Sequence, residues 1–236
     1  MDAVYRRVVV KLSGEALSGE KGTGFDFDFI SQVCAAVKSC ADEGVQMALV
    51  IGGGNFWRGV KDGAGKVERV SADRMGMLAT AMNCLAVADV FSKLGAKAKV
   101  LTAMDIQGVG ERYDTKKAVE YLCDRCIVLF ACGTGSPFFS TDTAAALRAA
   151  EIGADALLLA KNIDGVYSAD PRKDASAVRY DTVSYDEVLS KHLAVMDSTA
   201  VSLAMDNAIP TVVFALAESE NIKRVIQGEK LGTTVK

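Results

Sequence analysis

Short apolar runs alternate with helix-period segments along the whole chain, and this alternation restricts the fold more than any other feature. The six strand candidates are residues 8–12, 47–51, 98–101, 127–131, 157–160 and 211–214. Most of these runs are too continuously apolar to leave one face in water, which is typical of a parallel sheet covered on both sides. The pattern predicts repeated β-α units and therefore an α/β fold.

The segments between the strand candidates carry helix signals. Apolar residues fall on one helical face in 29–40, which stops before Gly44, and in 75–86, which stops before Gly95. Shorter helices are predicted at 115–122, 142–152, 184–192, 198–207 and 219–227. Loops or small hairpins are expected at 14–24, 59–70, 102–113 and 167–184. We expect one domain over 1–236, whose motifs change in character after about residue 152.

Charge and hydropathy exclude several classes of protein. The chain has 27 basic and 30 acidic residues, a net charge of -3, and no basic stripe of the kind that binds nucleic acid. Its longest apolar runs are too short to cross a bilayer, and its first residues lack an apolar signal core. We therefore expect a cytoplasmic protein that partners neither nucleic acid nor membrane.

Cysteine and histidine usage argues against a zinc site and against a serine hydrolase. The six cysteines resemble small core residues, and the single C-x-x-C pair, Cys123 and Cys126, lacks the second pair or the histidines that structural zinc requires. His192 is the only histidine, and the sequence has no nucleophile elbow. We interpret His192 as a surface residue and expect no metal held by protein ligands alone.

Glycine-rich or polar segments follow at least four strand candidates. They are the segments 11–14 (KLSG), 52–55 (GGGN), 133–136 (GTGS) and 161–165 (KNIDG). Ligands of an open parallel sheet sit beyond the carboxyl ends of its strands, so these segments are expected to converge on one crevice. Lys11, Lys161 and Arg58 would bring three cations that suit phosphate oxygens. On the residues alone, the glycines could also form a tight turn without a ligand, and Arg58 could be a solvated loop charge.

Common nucleotide fingerprints are absent. The sequence contains neither GxxxxGK[ST] nor a GxGxxG that opens a helix, and it lacks the protein-kinase signatures. Asp142 and Asp197 stand at predicted helix starts, where capping is as good an interpretation as a functional role. Capping does not prevent such an acid from orienting a lysine.

Five ordered motifs resemble those of the bacterial uridylate kinases, a family of the amino acid kinase superfamily. The motifs are 11–17 (KLSGEAL), 52–59 (GGGNFWRG), 73–80 (DRMGMLAT), 133–142 (GTGSPFFSTD) and 164–171 (DGVYSADP). The resemblance implies a three-layer α/β/α sandwich with a mainly parallel central sheet, an acceptor-binding region over about 1–152 and an ATP-binding region over 153–236. It also implies a homohexamer that uses Mg²⁺ bound with ATP to convert UMP to UDP in pyrimidine nucleotide biosynthesis.

The resemblance further implies roles for individual residues. The catalytic set is Lys11, Arg58, Asp142 and Asp197. The UMP-binding set is Gly53, Asp73, Thr134, Gly135, Ser136, Pro137, Phe138, Phe139, Ser140 and Thr141, with Asp73 on the ribose hydroxyls. The ATP-binding set is Lys11, Leu12, Ser13, Gly14, Gly54, Arg58, Lys161, Asn162, Tyr167 and Asp170. A loop associated with GTP activation comprises Gly19, Glu20, Lys21, Gly22, Thr23 and Gly24, and UTP is the implied inhibitor.

Two other functions fit the same fold. One is another kinase of the superfamily, with a carboxylate or carbamate acceptor, although an acid at Asp73 suits ribose hydroxyls better than an anionic acceptor. The other is a nucleotide-binding protein without catalysis, which the combination of Lys11, Arg58, Asp142 and Asp197 disfavours. An assay of several acceptors separates these alternatives.

Overall fold

The computed structural model describes residues 3–58 and 65–236. Its strands are β1 (Arg7–Leu12), β2 (Gln46–Ile51), β3 (Ala98–Thr102), β4 (Glu111–Arg112), β5 (Ile127–Ala131), β6 (Ala156–Lys161), β7 (Val166–Tyr167), β8 (Arg179–Tyr180), β9 (Thr182–Val183), β10 (Thr211–Ala215) and β11 (Thr233–Val235). Within the described residues, the main sheet has nine strands in the order β4-β3-β5-β2-β1-β6-β10-β11-β9, and β7 pairs with β8 separately. Every pairing in the main sheet is parallel except that of β10 with β11.

All six strand candidates are confirmed to within one residue at each end. The shortest strands, β4, β8 and β9, lie inside segments predicted as loops or small hairpins. Strand β7 begins one residue before such a segment, and β11 follows the last predicted helix. Such strands of two or three residues are too short to show a hydrophobic period. Some of the predicted loop 59–70, including Gly59 of the glycine motif, falls outside the described residues.

The helices match the predicted segments to within about two residues at each end, except that the helix predicted at 75–86 extends over 69–93 and so takes in the end of the predicted loop 59–70. They are α1 (Phe27–Asp42), α2 (Arg69–Lys93), α3 (Thr115–Cys123), α4 (Thr141–Glu151), α5 (Tyr185–Ser190), α6 (Ser198–Asp206) and α7 (Asn221–Ile226). A 3-10 segment, Gly14–Lys21, lies within a predicted loop. Side chains of Asp26, Asp114, Ser140, Ser184 and Asp197 cap the starts of α1 and α3 to α6 by accepting backbone N–H groups. Local capping chemistry therefore fixes where most helices begin.

The sheet separates two apolar cores, so the fold has the three predicted layers. Helices α1, α2 and α7 pack on one face of the sheet, and α3 to α6 pack on the other. Strand residues alternate between the two cores: Val8 and Val10 of β1 join the first, and Val9 joins the second. This alternation decides which helices each polar residue of a strand can reach.

Helix α2 is apolar on more than its buried side. Among the described residues, it is the one helix long and apolar enough to span a membrane by length and composition, although its sequence has no uninterrupted apolar run of that length. Half of its most apolar window is buried inside the protein, and a core helix of a soluble protein passes the same test. Met75, Leu78, Met82 and Leu85 form the exposed apolar side of this helix.

The cysteines are unpaired, as the sequence indicates. Cys34, Cys40, Cys84, Cys126 and Cys132 are buried. Cys123 is exposed, so the interpretation of all six as core residues is wrong at this position. It is the last residue of α3, where the amphipathic helix turns its side chain away from the core.

Candidate active site

The four polar segments meet at one edge of the sheet, as predicted. Strands β1, β2, β5 and β6 run parallel, so the residues that follow them emerge on the same side. The segments after β1 and β2 are in direct contact: the Gly52 N–H donates to Leu12 O at 2.9 Å. A Cβ atom placed on Gly14 would lie 2.5 Å from Gly52 O and 2.6 Å from Gly54 N. Gly14 therefore allows two backbone loops to pack closer than any side chain would permit.

A lysine–aspartate–lysine cluster lies at the centre of this edge. Lys11 Nζ is 2.7 Å from Asp142 Oδ1, and Lys161 Nζ is 3.3 Å from Asp142 Oδ2. Lys11 follows Val9 by two residues in β1 and Lys161 follows Leu159 in β6, so both lysines face the layer that contains α4. Residue alternation and the start of α4 thus bring the three charges together.

Burial strengthens the electrostatic interactions among the three charges of this cluster. Lys11 is only 8% exposed. Burial raises the pKa of Asp142, but the ammonium groups of Lys11 and Lys161 outweigh it, so the net pKa lies below its ordinary value. Burial lowers the pKa of Lys161, and the carboxylate of Asp142 does not fully offset this. Lys161 Nζ also donates to Val195 O. Lys11 and Lys161 present two cations suited to phosphate oxygens, and the Asp197 carboxylate acts on Lys161 in addition to that of Asp142.

Asp142 and Asp197 differ in their structural roles. The capping interpretation is wrong for Asp142, because the Ser140 side chain accepts the N–H groups of Asp142 and Thr143 at 3.0 Å each. It is confirmed for Asp197, which accepts the Ala200 N–H at 3.1 Å. The Asp197 carboxylate also accepts the hydroxyls of Ser140 and Thr143. Asp197 therefore ties the start of α6 to the start of α4.

Arg58 lies where the two glycine loops meet. Its Nε donates to Gly54 O at 3.2 Å and is 3.1 Å from Glu15 Oε1. Glu15 directly follows Gly14, so the guanidinium connects both loops.

One pocket lies between α2 and the segment after β5. It is lined by Gly53, Trp57, Ala72, Asp73, Gly76, Met77, Thr80, Gly133, Thr134, Phe139 and Thr141. Five of the ten residues predicted to bind UMP belong to this lining. Gly135, Ser136, Pro137, Phe138 and Ser140 lie outside the lining that the described residues form. Six lining residues are absent from the predicted site: Trp57, Ala72, Gly76, Met77, Thr80 and Gly133.

Hydrogen bonds hold the walls of this first pocket in place. Asp73 accepts Arg69 Nε at 2.8 and 2.9 Å and the Phe138 N–H at 2.8 Å. Thr80 Oγ1 accepts the Cys132 N–H at 2.8 Å, and Trp57 Nε1 donates to Ala72 O at 2.8 Å. Phe138 itself is 65% exposed. Phe138 thus meets the site through its backbone, while its ring lies outside.

A second pocket lies beyond β6. Its lining consists of Lys161, Asn162, Ile163, Gly165, Tyr167, Ser168, Ala169, Asp170, Pro171, Arg172, Lys191, His192, Leu193 and Ala194. Lys161, Asn162, Tyr167 and Asp170 are all predicted to bind ATP. The other six residues of that set lie outside this lining: Lys11, Leu12, Ser13, Gly14, Gly54 and Arg58. His192 is exposed, as expected of a surface residue, yet it belongs to the pocket wall. Nothing in its local sequence indicates that position.

The charged cluster adjoins both pockets. Thr141 lines the first pocket and directly precedes Asp142, and Lys161, which is paired with Asp142, lines the second. A molecule in each pocket would therefore lie near the same cluster of charges. This arrangement suits the transfer of an anionic group from one pocket to the other.

The loop 19–24 is attached to the glycine turn. The Gly24 N–H and Thr23 Oγ1 both donate to Asn55 O, at 3.2 and 3.0 Å. The predicted effector loop therefore contacts the turn that follows β2.

Comparison with known proteins is consistent with this geometry. The model of the amino acid kinase family matches residues 6–219. The chain is 36% identical to the UMP kinase of Bacillus anthracis over 98% of this chain and 96% of that one, with a TM-score of 0.94. It is 31% identical to the UMP kinase of Ureaplasma parvum over 98% of both chains, with a TM-score of 0.93. It is also 30% identical to the uridylate kinase of Archaeoglobus fulgidus over 97% and 99% of the chains, with a TM-score of 0.73.

Proposed function

The chain belongs to the amino acid kinase family, and on that premise we propose that it transfers the γ-phosphoryl group of ATP to UMP, giving ADP and UDP, in pyrimidine nucleotide biosynthesis. The observation that carries this proposal is the cluster of Lys11, Asp142 and Lys161, which adjoins one pocket next to Thr141 and the other at Lys161. The similar UMP kinases supply the identity of the acceptor. We assign the acceptor to residues 1–152 and ATP to residues 153–236.

The mechanism follows from charge. Phosphoryl transfer brings two polyanions together through a loose transition state, so positioning and charge neutralisation supply most of the rate enhancement. The attacking atom is a phosphate oxygen of UMP that is ionised at neutral pH, so no side chain has to remove a proton. Lys11 and Arg58 are assigned to the transferred group, and Asp142 holds the lysines in place.

Mg²⁺ is proposed to enter with ATP. It usually keeps several waters and binds through one or two carboxylates together with substrate phosphates. The described residues contain no group of three or more His, Cys, Asp or Glu side chains that could hold a metal ion. The two lysines suit the phosphates of the nucleotide, and Mg²⁺ bound to those phosphates would neutralise further charge.

An acceptor panel tests the function. ADP release is measured with UMP, CMP, AMP, acetylglutamate, aspartate and carbamate as acceptors. UMP is expected to give the highest kcat/KM. A higher value for a carboxylate or carbamate acceptor would identify another kinase of the family, and nucleotide binding without turnover of any acceptor would identify a binding protein.

Asp73→Asn is expected to raise KM for UMP roughly tenfold, equivalent to about 1.4 kcal/mol, with a smaller change in kcat. The carboxylate of Asp73 is proposed to accept both ribose hydroxyls, and an amide retains only one acceptor. Initial rates over a range of UMP concentrations measure the effect. Asp89→Asn on the exposed side of the same helix is the control, and an unchanged KM in Asp73→Asn would remove this assignment.

Asp142→Asn is expected to lower kcat about tenfold or more, and the deficit should deepen as the pH rises. Removal of the carboxylate takes away the interaction that supports the Lys161 charge, so the pKa of Lys161 falls further below its ordinary value. Lys161 then loses its proton at a lower pH than in the wild type. The ratio of variant to wild-type kcat, measured from pH 6 to 9, checks the direction. A ratio that rises with pH would contradict it.

We propose that the protein forms a homohexamer, and the exposed side of α2 supports self-association. Met75, Leu78, Met82 and Leu85 follow the spacing of one helical face and are 40 to 47% exposed. Met82→Glu is expected to yield smaller species in size-exclusion chromatography with light scattering. Val178→Glu, at an exposed apolar residue of another segment, should leave the size unchanged.

We also propose GTP activation and UTP inhibition at a cytoplasmic enzyme. The segment 19–24 is assigned to the GTP effect because of its resemblance to a known effector loop and its bonds to Asn55. UMP titrations with and without each nucleotide test both regulators. Identical titration curves with and without a nucleotide would contradict regulation by that nucleotide.

A further inference from the structure

A buried pair of asparagine side chains lies beneath the glycine turn. Asn83 of α2 is 0% exposed, and Asn55, which follows Gly54, is 2% exposed. Asn55 Nδ2 donates to Asn83 Oδ1 at 2.9 Å, and Asn83 Nδ2 donates to Asn55 Oδ1 at 2.7 Å. Neither residue is needed to fill an apolar core, and burying two amides is costly unless each is bonded.

Every side-chain N–H of the pair has an acceptor. The second N–H of Asn83 donates to Gly52 O at 2.6 Å, and the second N–H of Asn55 donates to Gly24 O at 2.9 Å. The two backbone acceptors therefore fix the orientation of both amides. One helix, the glycine turn and the 23–24 segment are joined through four bonds.

The bonded atoms lie where small displacements matter. Gly52 O, which Asn83 holds, and Asn55 Oδ1 are both among the atoms that a Cβ on Gly14 would meet, at 2.5 and 2.7 Å. The Asn55–Asn83 pair thus sets the position of the Gly52–Gly54 turn relative to the loop that follows Lys11. Asn83 also lies on the same helix as Asp73, so α2 supports both the acceptor pocket and the turn.

We propose that Asn83 is a positioning residue for phosphoryl transfer, which holds the Gly52–Gly54 turn in its working geometry and, through Asn55, the segment at Thr23 and Gly24. The inference rests on the proposed function, because it assigns Asn83 to that same reaction. Asn83 acts on the reacting groups only through the backbone it holds. A displaced turn should therefore slow the chemical step more than it weakens substrate binding.

Asn83→Leu, of similar size, is expected to lower kcat by up to about a hundredfold with much smaller changes in both KM values. Thr211→Val is the matched control, because Thr211 is also a buried polar residue, bonded to the Tyr185 hydroxyl at 2.8 Å. Thr211 is the first residue of β10 and therefore lies at the amino end of the parallel strands, away from the candidate site at their carboxyl ends. The control should lose stability without losing kcat. Equal kcat for Asn83→Leu and wild type would overturn the proposal.

Asn83→Asp provides a test by pH. Its carboxylate would face Gly52 O and Asn55 Oδ1, so the ionised form is disfavoured and the carboxyl pKa is raised. The neutral acid, populated below that pKa, can donate one hydrogen bond in place of the amide. The kcat of Asn83→Asp relative to wild type should rise as the pH falls, while the ratio for Asn83→Leu should stay flat. A flat ratio for both variants would contradict the positioning role.

Hydrogen exchange separates this proposal from the proposed function. In Asn83→Asp at neutral pH, exchange should quicken at the amides of Gly24, Phe56 and Trp57, which are bonded to Asn55 O and Gly53 O. Amides in the central strands should keep their rates. Unchanged exchange at the turn overturns the inference even if UMP is phosphorylated. Faster exchange at the turn supports the role of Asn83 in holding it, even if the wild type fails to phosphorylate UMP. In that case only the proposed function is contradicted.

Discussion

Lys11→Ala is expected to lower kcat by about a hundredfold or more, because it removes a buried cation from the point where charge moves between the two pockets. The Lys11 side chain is held 2.7 Å from Asp142, so its position is fixed before any substrate binds. The effect should fall mainly on kcat, since the lysine is proposed to bind the transferred group most strongly in the transition state. Steady-state rates with saturating ATP and UMP measure it.

The controls for this experiment address folding and charge. Lys11→Met retains the length and much of the volume of the side chain, so it should show the same loss with less structural change. Lys93→Ala, at an exposed lysine near the end of α2, should have normal kcat. A correctly folded Lys11→Ala protein with near-normal turnover would exclude the catalytic role.

Gly14→Ala is expected to lower kcat/KM for both substrates by about a hundredfold, because one methyl group would force apart the loops that follow β1 and β2. The new Cβ would lie 2.5 Å from Gly52 O and 2.6 Å from Gly54 N, and neither backbone atom belongs to a flexible side chain. Overpacking of this kind also lowers the free energy of unfolding, by about 1 to 3 kcal/mol. Rate measurements and thermal unfolding together quantify both effects.

Gly95→Ala is the matched control for Gly14→Ala. Gly95 has a φ of 74° and open space around its Cβ position, so alanine there strains the backbone by about 1 to 2 kcal/mol without a clash. It follows α2 at a distance from the candidate site and should retain normal kcat/KM. If the two variants lose activity equally, general destabilisation rather than loop displacement is the cause.

The sequence predicts the fold well because its signals are local. Continuous apolar runs identify β1, β2, β3, β5, β6 and β10, and Asp197, a predicted capping residue, marks the start of α6. The sequence also predicts that the segments of Lys11 and Lys161 converge, because both belong to strands of a parallel sheet, whereas the pairing of β1 with β6 comes from the structure. What depends on hydrophobic period and local capping is therefore accessible without coordinates, and strand order is not.

The rest depends on contacts between distant segments. Trp57 and Thr80 lie within the 52–59 and 73–80 motifs but have no predicted role, and Asn83 lies outside every motif. Each enters the site through a bond to a residue that the sequence alone does not bring near. Asp142 illustrates the same limit. The sequence offers both Ser140 and Asp142 near the start of α4, and only the structure shows that Ser140 caps the helix. From the sequence, the glycines at 52–54 are interpreted as residues that let a ligand approach the backbone closely. For Gly53 the structure adds a packing reason, because a Cβ would lie 2.8 Å from Gly76 O.

The charged cluster that adjoins both pockets has a consequence for inhibitor design. Thr141 lines the first pocket and directly precedes Asp142 in the chain. Lys161 lines the second pocket and forms an ion pair with Asp142. One compound with a uridine-like end and an adenosine-like end could therefore occupy both pockets if a short anionic tether passes the lysines. Linking two weak ligands in this way raises the effective concentration of each beside its pocket. The tether, rather than either end, would then determine selectivity against enzymes that bind only one nucleotide.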